Sequence, residues 1–419
     1  MAKIADPGVL VGILEPYPWQ SVGSAGTDYT EAGTTWATTE GTSTPAPRVS
    51  LIPVQTEADT GDELFVQALS GGAPAGLAYR VGSGGAWMGT DSPLALTGYQ
   101  SIAAAPIRSP SLHVRRDGGV VALTPVGGGE FGVATRTPAG SWSFASLYSQ
   151  TTTATTTGAC LVTMPSGDVW AYLAVESLGS TATVIRSYLS RDDGDTWELQ
   201  TTRAVTLSVT GTPYHMCGVA LTGGRVALWV TTTDGSSEYV SQYWSADGGY
   251  HLQPAGDELH NYAAWGAVAQ GAQVFVFGEA SSTARVWTVG DPSVAAMSGA
   301  GVTLASTSAV RRQGGGAIWV GEDGGTRAWL VTHDGDVISY LSTDGLTWAA
   351  EGSLRGPWTG GAGRGIALPA VAQVRGVVVV VCTSWDLSTV DGTEAYELRY
   401  GQRASVTASS RVFAGDSGV

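Results

Sequence analysis

One pattern constrains this chain more than any other feature: Ser190-Arg191-Asp192-Asp193-Gly194-Asp195-Thr196-Trp197, a Ser-x-Asp-x-Gly-x-Thr-Trp spacing that returns in weaker form along the sequence. Its physical logic is a tight turn between antiparallel strands. The Asp side chain accepts hydrogen bonds from turn amides, and Gly supplies a backbone conformation that a Cβ would oppose. Thr opens the next strand, and Trp buries its indole beside it. Ser342-Thr343-Asp344-Gly345-Leu346-Thr347-Trp348 repeats the pattern with one residue fewer in the turn. Ser245-Ala246-Asp247-Gly248-Gly249 keeps its first half and then departs, with His251 and Leu252 where Thr and Trp would stand.

Fainter copies give the pattern a period. Tyr29 to Trp36 keeps Gly-x-Thr-Trp but has Glu31 in place of Asp, while Gly84-Gly85-Ala86-Trp87 and Gly140-Ser141-Trp142 retain only the ends. Trp36, Trp87, Trp142, Trp197, Leu252 and Trp348 are spaced about 50 residues apart, with one double gap, which is the signature of a repeat architecture. The pattern resembles the Asp box, or BNR repeat, of sialidase-like β-propellers. In those families the box lies at the blade periphery, so the resemblance implies a folding role for the box residues Ser190, Asp192, Gly194, Thr196, Trp197, Ser245, Asp247, Gly249, Ser342, Asp344, Gly345, Thr347 and Trp348.

A second marker runs alongside: a Gly-containing turn followed by a short, strongly apolar strand. It occurs from Gly61, Gly119, Gly167, Gly224, Gly271, Gly316 and Gly376. Continuous apolar character predicts strands buried on both faces, as inner strands between neighbouring blades must be. Two markers in one order at one period predict an all-β fold, a β-propeller of seven four-stranded blades. An eighth blade is the alternative, with the N- and C-terminal strands (Val9 to Leu14, Ser409 to Ala414) closing the ring. Residues 1–46 read as an N-terminal arm or partial blade, and residues 47–419 as the propeller.

Composition agrees and narrows the function. Among 419 residues, 59 are Gly and only 14% are charged, which suits short strands and tight turns. A net charge of −15 argues against the clustered positive charge that nucleic acid requires. Of the basic residues, Lys3 alone is Lys. The Cys residues at 160, 217 and 382 form no Cys-x-x-Cys pair, and the His residues show no His-x-x-His spacing, so neither a metal nor a cofactor is expected. Asp192, Asp193 and Asp195 share one turn, but Ca²⁺ takes six to eight oxygens and the run supplies too few. No apolar run reaches membrane-spanning length, and the first residues lack a secretory pattern. The expected location is therefore a cytoplasm at synthesis and a phage or phage-like particle afterwards, without membrane insertion.

The resemblance also brings an enzymatic alternative. Sialidases grip a substrate carboxylate with three arginines and use a Tyr nucleophile assisted by Glu, with an Asp acid/base. The candidate arginines here are Arg48, Arg108, Arg311, Arg312 and Arg364, each ahead of a candidate inner strand. Neither Pro47-Arg48-Val49 nor Ile107-Arg108-Ser109 reads Arg-Ile-Pro as that family does, and no Tyr/Glu pair can be assigned. Trp19, Trp358 and Trp385 fall outside the box positions and are candidates for stacking on a sugar or anchoring a partner. The sequence therefore predicts a non-enzymatic interaction or structural module. Its partners would be other structural subunits, met through the N-terminal arm, and a cell-surface glycan.

Overall fold

The computed structural model describes most of residues 111–350 in full, and on either side of them the backbones of strands from Gln20 to Ala404. These strands form seven antiparallel sheets, taken here as blades 1 to 7. Blade 1 holds Arg48–Val54, Glu63–Leu69, Pro74–Val81 and Trp87–Thr90. Blade 2 holds Ser111–Val114, Val120–Val126, Glu130–Arg136 and Trp142–Tyr148. Blade 3 holds Gly158–Thr163, Val169–Glu176, Thr183–Ser190 and Glu198–Thr201. Blade 4 holds Thr212–Leu221, Arg225–Thr233 and Glu238–Ser245, with an outer strand split into Gln253–Pro254 and Leu259–His260.

Blade 5 follows with Tyr262–Gln270, Gln273–Ala280, Thr283–Val289 and Val302–Ser306. Blade 6 holds Gly316–Val320, Thr326–Val331, Val337–Ser342 and Ala349–Leu354. Blade 7 holds Arg364–Val374, Val377–Asp386 and Thr393–Ala404, and its outer edge comes from Gln20–Ser21 and Ala37–Thr39. The first strand of each blade lies beside the first strand of the next, and that of blade 7 lies beside that of blade 1. The fold is a closed seven-bladed β-propeller.

The N-terminal strands therefore join the seventh blade and build no eighth. Val9 to Leu14 and Ser409 to Ala414 lie outside the described residues. The Trp period also resolves: Trp36 precedes the outer strand of blade 7, and the double gap falls on blade 5. One expectation needs correcting. The strongly apolar runs are second strands in six blades, while the run at Gly316 is the innermost strand of blade 6.

Second strands carry the core because both of their faces meet a neighbouring blade. Val226, Ala227, Leu228, Trp229 and Val230 are all fully buried, as are Val169 and Ala171 to Val175. Blade 3 packs on blade 4 through Cys160, Trp170, Met216 and Leu228, and blade 4 on blade 5 through Cys217, Trp229, Val276 and Trp287. The two thiols are free, and burial pushes that of Cys217 up to about 12.

Trp229 shows how a polar tip is accommodated in such a place. Its indole N–H donates to Gln242 Oε1 at 3.1 Å, and the same amide oxygen accepts the Met297 N–H of blade 5 at 2.8 Å. Replacing Trp229 with Ala should cost about 3–5 kcal/mol, the range for a large buried aromatic, and Trp229→Phe should cost less. Chemical denaturation of the two variants checks this.

Candidate functional site

In a sheet of four antiparallel strands, the first–second and third–outer connections share one end, and the second–third and blade-to-blade connections share the other. The Ser-x-Asp turns are third–outer connections and so occupy the first of these faces.

At blade 3, Ser190 Oγ donates to Asp192 Oδ1 at 2.8 Å and accepts the Gly194 N–H at 2.7 Å. Thr196 donates its N–H to Asp192 Oδ1 at 2.8 Å and its hydroxyl to Oδ2 at 2.5 Å. The half-buried Trp197 donates its indole N–H to Gly194 O at 3.1 Å. Blade 6 repeats this with Ser342, Asp344, Gly345 and Thr347, the last donating N–H and hydroxyl at 2.8 and 2.7 Å. Trp348, by contrast, finds no acceptor for its indole N–H.

The turn of blade 4 completes the set by other means. Ser245 Oγ donates to Asp247 Oδ1 and accepts the Gly249 N–H. The His251 N–H donates to Asp247 Oδ1 at 3.0 Å, and its ring Nδ1 pairs with Oδ2. An imidazole thus fills the place of the Thr hydroxyl, which the sequence pattern had marked as a departure.

Each turn also grips the blade before it. The glycine is the contact point: a Cβ at Gly194 would collide with Val121 of blade 2, at Gly249 with Tyr172 of blade 3, and at Gly345 with Phe275 of blade 5. Gly345 has φ 71°, so an L side chain is opposed there by the backbone as well. Polar contacts surround these points. Asp193, an added turn residue at φ 61°, accepts the Arg116 N–H and meets His113 Nε2 at 2.9 Å, while His113 Nδ1 meets Thr163 Oγ1 at 2.8 Å. Arg115 pairs with Asp195 at 2.7 Å. Arg191 donates to Tyr250 Oη at 2.9 Å, and the Tyr250 ring stands edge-on to Trp170 at 5.0 Å.

Blade 5 lacks a Ser-x-Asp turn, yet its third–outer connection grips blade 4. Arg225 Nη1 donates to both carboxylate oxygens of Asp291 at 2.8 Å, and Gln242 donates to Pro292 O at 3.1 Å. His113, Arg115, Arg225, Tyr250 and Asp291 were not singled out from sequence. Only the added residue at Asp193 signalled an unusual turn.

Asp192, Asp193 and Asp195 thus address separate protein partners. Among the described residues, no group of three or more His, Cys, Asp and Glu side chains is placed to hold a metal ion.

Three of the residues proposed from sequence for ligand contact, Arg48, Arg364 and Trp385, belong to the opposite face by chain position. Arg48 and Arg364 open the adjacent inner strands of blades 1 and 7, and Trp385 stands next to the end of the second strand of blade 7. In that sheet Arg364 is the register partner of Asp386, and Gly365 that of Trp385. Arg108, Arg311, Arg312, Trp19 and Trp358 lie outside the described residues. A braced loop of blade 4 also stands on this face: Asp234 accepts the N–H groups of Ser237 and Ser236 at 2.7 and 2.8 Å and the Tyr239 hydroxyl at 2.8 Å. The Ser237 and Ser236 N–H groups hold its carboxyl well below the usual range.

No protein-family model matches this chain, and no curated protein matches it. Among solved structures it is similar to the fucose-specific lectin of Aleuria aurantia, with 13% identity and a TM-score of 0.47 over 78% of this chain and 100% of that one. An α-L-arabinanase of Penicillium chrysogenum complexed with arabinobiose gives 13% and 0.41 over 70% and 92%. A sialidase of Trypanosoma rangeli gives 10% and 0.43 over 72% and 54%.

The turn aspartates make an acid prediction. Desolvation pushes Asp192 and Asp247 up, but hydrogen bonds from Thr196 and Ser190, and from His251 and Ser245, outweigh it and leave both below the usual value. For Asp344 the Thr347 N–H leads, with its hydroxyl and the Leu346 N–H following. A folded value below the unfolded one gives stability that is complete above the ordinary 3.8 and is lost as pH falls through the folded values. Thermal midpoints should therefore fall below pH ~4. His251→Thr should preserve the midpoint at neutral pH, and His251→Ala should lose about 1 kcal/mol; calorimetry reads both.

Proposed function

We propose that this chain is a non-enzymatic binding module, a rigid ring whose loop face, opposite the Ser-x-Asp turns, grips a surface glycan or another subunit. The observation that supports this reading is the division of labour between the two faces. On the turn face the carboxylates of the three turns are engaged, Asp192, Asp247 and Asp344 within their own turns and Asp193 and Asp195 across to blade 2. On the loop face stand, by chain position, Arg48, Arg364 and Trp385, residues of types suited to ligands. Arg offers a planar fork to carboxylates and paired hydroxyls, and Trp offers a flat apolar surface to a sugar ring.

The turn geometry supports placing the chain among Asp-box propellers. Its acidic, Gly-rich composition and its N-terminal segment support a component of a phage or phage-like particle. Sialidase-type hydrolysis is the second reading, favoured by Arg48 and Arg364 opening neighbouring inner strands.

A glycan array probed with the full chain, run beside a fluorogenic sialoside assay, separates these readings. Binding to a subset of glycans without turnover is expected, weakened about tenfold or more in Arg48→Ala and Arg364→Ala. Turnover abolished by those substitutions would establish the enzyme instead. Absence of both binding and turnover would leave only the subunit-contact form of the proposal standing.

A further inference from the structure

Four blade interfaces are described in detail, and the later blade grips the earlier one in each. Gly194 and Asp193 of blade 3 hold blade 2, and Gly249 and Tyr250 of blade 4 hold blade 3. Asp291 and Pro292 of blade 5 hold blade 4, and Gly345 of blade 6 holds blade 5, where its carbonyl accepts the Thr288 hydroxyl at 2.8 Å. Every one of these grips is made by the covalent connection between a third strand and an outer strand. Blade 7 cannot make one in this way. Its third strand is Thr393–Ala404 and its outer strands are Gln20–Ser21 and Ala37–Thr39, so no turn joins them.

The surface that such a turn would cover differs as well. Thr326 of blade 6 pairs in register with Ser342, as Val169 of blade 3 pairs with Ser190. The next residue along is therefore the counterpart of Trp170, and in blade 6 it is Arg327. This arginine is buried and lies over the Trp319 ring at 5.4 Å. A guanidinium stands where blades 2, 3 and 5 offer Val121, Trp170 and Phe275 to a docking glycine.

The geometry points to blade 7 as the place where this ring opens, and to a second copy of the chain as the partner: the segment carrying residues 20–39 is exchangeable between copies. The hold on that segment is short. A two-residue and a three-residue strand pair with opposite halves of a twelve-residue strand. Releasing them breaks neither the three remaining strands of blade 7 nor any described grip. Every copy carries the same edge and the same complementary segment, so a pairing made within one chain is equally available between two. Intramolecular pairing wins in dilute solution because the tethered segment has a high effective concentration. Copies held side by side remove that advantage. The link to blade 1, residues 40–47, contains Pro45 and Pro47, which disfavour a helical path for the residues before them. Eight residues extend to at most ~29 Å, which is the longest step the link allows between one ring and the next.

This inference goes beyond the loop-face ligand and does not rest on it. The test uses register partners: Ser21 faces Arg399, and Gln20 faces Tyr400. In full-length chains carrying Cys382→Ala, with the buried Cys160 and Cys217 left in place, one population carries Ser21→Cys and the other Arg399→Cys. A disulfide between the two can form only between copies. Mixed and oxidised over a range of concentrations, they should give a covalent heterodimer that rises with concentration and exceeds, several-fold, a mismatched control of Ser21→Cys with Ala404→Cys. The double variant in one chain should cross-link internally when dilute. The Gln20→Cys and Tyr400→Cys set repeats the measurement should the first pair disturb folding. No excess over the control, or no cross-link at the register pairs in either arrangement, overturns the proposal.

Discussion

A hydrogen-bonded serine beneath each turn is the contact on which the rest of this ring depends. Ser190, Ser245 and Ser342 are all but fully buried, and each links an aspartate above it to a glycine amide beside it. That arrangement fixes the turn, and the fixed turn presents a residue without a side chain to the flank of the preceding blade. Remove the hydroxyl and the glycine amide is left buried without a partner, which is costlier than the bond is strong. The exposed aspartate and the buried interface are thus one unit.

Sheets of a propeller are alike, so the contacts between them must be specified locally to avoid sliding. Hydrophobic burial of Val226 to Val230 or Val274 to Phe277 supplies most of the attraction, but such surfaces have little preference for one registration over another. Directional contacts supply the preference: Asp193 on His113, Arg225 on Asp291, Gln242 on the backbone of blade 5. They sit at one end of the sheets, which leaves the loops of the other end free to diverge around a stiff frame.

Much of this was legible in the sequence, because turns are local. The spacing of Ser190 to Trp197 prescribes its own hydrogen bonds, and the Trp period and the apolar second strands gave the number and order of blades. Contacts spanning 50 or more residues were not legible. Nothing near His113 announces Asp193, and nothing near Arg225 announces Asp291, since neither pair shares a local spacing. The part His251 plays was not legible for a subtler reason. The pattern asks for Thr, but the turn asks only for an amide and a second donor at that place, and imidazole meets that need. The run at Gly316 misled because apolar continuity marks burial on both faces, a condition the innermost strand of blade 6 also meets.

In the four described interfaces the grip runs backward along the chain, from a later blade to an earlier one, which gives these blades a handed order like overlapping roof tiles. A ribosome delivers blades in that same order. Each described grip is made by a segment that emerges after the surface it covers, so the flank left bare by one blade is sealed by the next as it arrives. The exception is the strand pair from the beginning of the chain. It is made first and used last, and must wait through the synthesis of six other blades for the edge it completes.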